Sequence, residues 1–243
     1  MDGYTGIQIG EYQLVKDVVF AILLLLFLAF ALIFNSHFRQ FSKMIKNATH
    51  VKQRQSLFEV TFGNIKESRK LFHVFMLFQT ILLCSLFACY AGITYLHLPT
   101  ASLNAILLSI AAPLSVIILF YFFKQGFYAL FGNTFAQQEQ AELWRINYIA
   151  TMELWGVALY PLVVLSFFSN TKPIICILAF AFLYILSRLV LFHKSVKIFQ
   201  IKKDGLLFFF LYLCAQELIP LFILYRGIEY LYNYFIEVSI LWS

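Results

Sequence analysis

Charge is what this sequence has least of. Only 12% of its 243 residues are charged and 62% are hydrophobic, whereas a soluble domain is about 25% charged and about 45–50% apolar. Such a chain cannot cover its apolar surface in water, so lipid is its expected solvent. No polar stretch is long enough for a separate soluble domain, and residues 1–243 read as one integral membrane unit. Aspartate is confined to Asp2, Asp17 and Asp204, which excludes a membrane enzyme built on paired intramembrane aspartates. GxSxG, HExxH, P-loop and Gly-rich phosphate motifs are all absent, so no catalytic residue is assigned. The four cysteines lie inside apolar runs without CxxC spacing and read as small packing residues. His37, His50, His73, His97 and His193 fall near the ends of apolar runs, with no ligand spacing such as HxxxH, so no metal or other cofactor is expected.

What is abundant is long apolar runs. A helix crossing the roughly 30 Å hydrocarbon layer needs about 20 mainly apolar residues. Six runs meet or approach that length: 18–34, 71–96, 103–123, 146–168, 174–192 and 206–225. The predicted fold is therefore all-α, a polytopic bundle of six transmembrane helices. The first run follows Asp2, Glu11, Lys16 and Asp17 rather than a positive segment, which favours a retained span over a signal peptide. Pro99 and Pro173 mark the short connections 97–102 and 169–173 as tight helical hairpins.

Orientation follows from the excess of Lys and Arg in cytoplasmic connections. Segments 35–70, 124–145 and 193–205 hold fourteen of them, against three (Lys16, Lys172, Arg226) on the other side. Both termini are thus expected outside the cytoplasm. The net charge of +6 arises in segment 35–70, so it is a topology signal and no argument for nucleic acid. Within that segment Phe38, Phe41, Met44, Ile45, Ala48 and Val51 share one side of a helical wheel. Arg39, Lys43, Lys46 and Arg54 share the other. This is the pattern of a basic amphipathic helix on the membrane surface, where it meets anionic lipid; a plain solvated loop is the competing reading. The aromatic tail 228–243 suits the outer membrane–water boundary.

Ionisable residues inside spans are functional candidates, because their burial is penalised. At 1.5 Å per residue, Arg188 lies roughly 7 Å and Glu153 roughly 10 Å from the cytoplasmic side, and the matched depths predict an ion pair. Glu217 lies roughly 17 Å down, near the midplane, with no cation at its depth. Pro220 deprives the Gln216 carbonyl of its helical partner, so a carbonyl, an amide, a carboxyl and the Tyr212 hydroxyl gather on one helix. The structural reading has Glu217 holding its proton and donating it to a neighbouring helix; the functional reading is a proton or cation site. Pro113 and Pro161 likewise free the carbonyls of Ser109 and Val157.

The closing stretch GLLFFFLYLCAQELIPLFILYR carries a further signal. Leu211, Tyr212, Leu213, Cys214, Glu217 and Pro220 resemble the final-span signature of a bacterial family of polytopic membrane proteins known as a domain of unknown function. Arg188 and the basic segment before that span also fit. The resemblance covers most of the chain and implies a Gram-negative inner-membrane location, but no particular chemistry.

The leading expectation is a non-enzymatic component of a bacterial inner-membrane assembly, acting through anionic lipid and a membrane-protein partner. One alternative is a small-solute, ion or proton-coupled transporter using Glu217. Another is an intramembrane lipid-modifying enzyme, which would need more polar residues at one interface than the sequence supplies.

Overall fold

The computed structural model describes residues 13–49, 67–96, 98, 102–135, 138–169, 171–198 and 222–234. Every regular element among them is a helix: α1 (Gln13–Thr49), α2 (Glu67–Leu96), α3 (Leu103–Phe135), α4 (Gln138–Phe168), α5 (Pro173–Ile198) and α6 (222–234). Five of these are long and apolar enough to cross a membrane, over Gln13–Asn35, Phe72–Leu96, Leu103–Gly126, Trp144–Phe168 and Pro173–Val196. They coincide with the first five expected spans. Most of the sixth, 206–221, lies outside the described residues; its last positions fall in α6.

Local chemistry sets the helix starts. The Ser102 hydroxyl accepts from the Ala105 amide at 3.2 Å, an N-cap that opens α3. Pro173 opens α5, where its missing N–H costs nothing. Pro113 and Pro161 sit inside α3 and α4 without ending either helix.

The contacts define an alternating bundle. Phe20 meets Phe168 and Phe27 meets Tyr160, so α1 and α4 run antiparallel. Asn147 meets Lys194 and Met152 meets Arg188, which makes α4 and α5 antiparallel. Ser85 donates to the Ile110 carbonyl at 2.6 Å across the antiparallel α2–α3 pair. His73 reaches Glu153 and Thr80 packs against Gly156, so α2 and α4 are parallel neighbours. These two form the middle: 44% of the most apolar window of each is buried, against 17% for α1 and α5. Of the buried polar residues among those described, Gln79, Thr80, Ser85, Thr151, Glu153 and Ser166 lie on α2 and α4, Ser109 and Lys124 on α3, and Ser187, Lys194 and Ser195 on α5, while α1 and the rest of α5 turn broad apolar faces outward.

Gly156 sets how close the central pair comes. A Cβ there would land on the Thr80 side chain and within 3.2 Å of its Cα. Hydrocarbon provides no hydrophobic force between helices, so such close approach of backbones is what holds them together. At the opposite end Gly92 makes room for Tyr232 of α6: an added Cβ would stand 2.7 Å from its ring. The Tyr232 hydroxyl donates to the Ser109 carbonyl at 3.2 Å, the carbonyl that Pro113 leaves without a helical partner. Tyr232 is thus a buried peg between α2 and α3 rather than the boundary aromatic expected of this tail; Tyr230 and Tyr234 remain exposed.

The start of the basic segment is helical and continuous with the first span: α1 continues from Asn35 to Thr49 without a break, carrying Arg39, Lys43 and Lys46. The rings of Phe30, Phe34, Phe38 and Phe41 contact one another along that continuation, with centroids 5.2–6.3 Å apart. Aromatic contact at i, i+4 spacing favours continuing the helix over turning it. Arg54 lies outside the described residues. At the same end α3 runs past Gly126 to Phe135, and α4 begins at Gln138, before its span.

Candidate functional site at the basic end of the bundle

The short stretch 147–153 of α4 collects polar and basic groups from three neighbouring helices. From α2, His73 Nδ1 lies 2.7 Å from Glu153 Oε1. From α3, the Lys124 ammonium lies 5.8 Å from the Tyr148 ring centroid and 5.7 Å from that of Phe120. From α5, Lys194 Nζ donates to Asn147 Oδ1 at 3.2 Å, and Arg188 Nη2 lies 3.6 Å from Met152 Sδ. The Arg188 guanidinium also covers the Tyr184 ring at 4.6 Å. All three ring contacts are cation–π geometry, which offsets part of the cost of taking an ammonium or guanidinium out of water.

Glu153 is fully buried, whereas the His73 side chain is half exposed. Helical side chains lean toward the N-terminus of their helix, so Glu153 reaches back toward the end where α4 begins, and there it finds the ring. Its second oxygen, Oε2, is buried and makes no hydrogen bond among the described residues. Tyr121 of α3 stands within electrostatic reach of both Glu153 and Arg145.

The expected Glu153–Arg188 ion pair is therefore corrected. Both residues are at neighbouring levels, and Arg188 touches the residue beside Glu153. Successive residues on a helix point about 100° apart, however, so Met152 turns to α5 while Glu153 turns to α2. A second correction concerns Lys124 and Lys194. They were counted among the loop cations, yet both lie in helices with only 3% and 2% of their surface exposed. Glu217, Gln216, Tyr212 and Pro220, the other expected site, lie outside the described residues, as does Cys214.

Sequence reasoning passed over His73, Asn147, Tyr148 and the burial of the two lysines. One signal was available. Ser187, Leu191, Lys194 and Ser195 recur at helical spacing, and all four are buried, so α5 keeps one inward face beyond its last apolar run. For His73 the available signal was its spacing to Met76 and Thr80, which puts all three on one face of α2.

The remaining polar features are local. Cys89 and Cys176 are buried thiols within 3.2 Å of the Ser109 and Thr171 hydroxyls. A cavity of about 300 Å³ at the other end is lined by Lys16, Tyr90, Thr94 and Ser166 among others. The Thr94 and Ser166 hydroxyls there donate to carbonyls of their own helices.

Compared with known proteins, residues 19–228 match the family described as domain of unknown function (DUF4271), and the chain belongs to that family. No curated protein and no solved structure matches it.

Proposed function

We propose that this member of the family is a six-span protein of the bacterial inner membrane, with both termini outside the cytoplasm. It acts there as a non-enzymatic component of a membrane assembly, through its basic end. One observation carries the reading: α1 continues as an unbroken helix over residues 36–49, about 21 Å beyond its span at 1.5 Å per residue. That extension holds Arg39, Lys43 and Lys46 and no acidic residue. A helix so placed carries positive charge into the headgroup layer and past it, where each Lys or Arg near an anionic surface contributes about 1 kcal/mol. The ends of α3 and α4 beyond their spans give a membrane-protein partner a second helical element to grip.

Reporter fusions at Thr49, Phe135 and Ser243 test the topology. The expected outcome is a cytoplasmic reporter active at the first two and a periplasmic reporter active at the third; the reverse pattern refutes the orientation. Crosslinking in intact membranes, followed by quantitative mass spectrometry, tests the role. A specific membrane-protein partner is expected with the wild type and depleted when Arg39, Lys43 and Lys46 are together changed to Gln. Recovery of lipid alone, equal in both, refutes the assembly reading.

A further inference from the structure

The pairing of a buried carboxyl with a half-exposed imidazole does something that a structural ion pair need not do. We propose that His73 and Glu153 form a proton-binding site, loaded from the end of the bundle where the His73 ring is open. Three observations carry this. The atoms are 2.7 Å apart, within hydrogen-bonding distance for direct proton transfer. Their exposures are opposite, with Glu153 sealed from solvent and His73 half accessible. And Glu153 presents Oε2, buried and without a hydrogen bond among the described residues. A carboxylate held by only one of its oxygens is poorly solvated in a low-dielectric interior, and a proton on the carboxyl removes that charge.

The transfer balances without any co-reactant. The Nδ1–H bond of His73 breaks as an O–H bond forms on Glu153, and Nε2 takes a proton from hydronium at the mouth, leaving water. The net event moves one proton from solution to the buried carboxyl, with no change of oxidation state. The groups around the pair are consistent with a site that exchanges protons. Tyr121 faces it from α3, with Lys124 near Tyr148 on the same side. Arg188 and Lys194 of α5 are directed to Met152 and Asn147, beside Glu153 rather than onto it. From α1, Phe30, Ile33 and Phe41 pack against this region among the described residues. Arg145 of α4 acts electrostatically on the same Tyr121.

The test is infrared difference spectroscopy of the full-length protein in nanodiscs of phosphatidylethanolamine and phosphatidylglycerol, titrated from pH 5 to 8. A protonated-carboxyl band that grows as pH falls is expected. It should be lost in Glu153→Gln, and its midpoint should move by about one pH unit in His73→Gln. His73→Gln keeps Glu153 in place, so this arm reads the site even where Glu153→Gln folds poorly. A carboxyl signal unchanged across the range, or a midpoint indifferent to His73→Gln, reduces the pair to interhelical glue and overturns the proposal.

Discussion

Substituting Gly156 by alanine isolates what holds the two central helices together. In a helix interior the change from glycine to alanine is favourable by about 0.8–1.0 kcal/mol on backbone grounds alone. The structure opposes it: the new Cβ overlaps the Thr80 side chain and stands 3.2 Å from the Thr80 Cα. The side chain is itself held, since Thr80 Oγ1 donates to the Met76 carbonyl at 2.8 Å, with the Met152 carbonyl 3.4 Å away. Relief therefore requires moving α2 against α4, and overpacking of this kind costs about 1–3 kcal/mol. The expected balance is a net loss of about 1 kcal/mol, read as lowered thermal stability of the full chain in detergent micelles. Thr80→Ala removes the worst overlap, so the same substitution should cost less in that background, with a coupling of at least about 0.5 kcal/mol. A Gly156→Ala protein that is more stable than wild type, by about the propensity gain, would refute the close approach.

Two further outcomes are expected. Tyr232→Phe removes the donor to the Ser109 carbonyl and should cost about 0.5–1.5 kcal/mol. In a Pro113→Ala background an alanine amide can serve that carbonyl instead, so thermal melts should show a much smaller Tyr232→Phe effect; equal losses in both backgrounds would contradict the pairing. For Glu153, a double-mutant cycle with His73 should show coupling of about 0.5–3 kcal/mol, whereas the cycle with Arg188 should be closer to additive. Stronger coupling to Arg188 than to His73 would reverse the assignment.

The spans were legible because they answer to one variable. Whether a segment crosses lipid depends on summed apolarity over about 20 residues, and that sum is in the sequence. Hence α1 to α5 fall where the apolar runs lie, and α5 opens where Pro173 announces it. Depth was nearly as legible, since each residue adds about 1.5 Å along a straight helix. Arg188 was expected beside Glu153 in depth, and it is found one residue away, at Met152.

Azimuth was not legible, and the candidate site depends on it. Whether Glu153 turns to α2 or α5 is decided by which helices pack against α4 and on which faces, and that is a property of the whole bundle. The close approach of Gly156 to Thr80 fixes α2 against one face of α4, and with it the face on which Glu153 must find a partner. The same limit explains Lys124 and Lys194. A lysine after the last apolar residue of a run counts as solvated when only hydropathy is read. Both helices nevertheless continue past those runs with an inward face, and there Tyr148 and Asn147 of α4 meet the ammonium groups. A cation at the end of a span is thus ambiguous until the helix phase beyond the apolar run is followed. Where that phase keeps buried residues recurring at three and four, as Ser187, Leu191, Lys194 and Ser195 do, the charge belongs to the bundle and not to the loop.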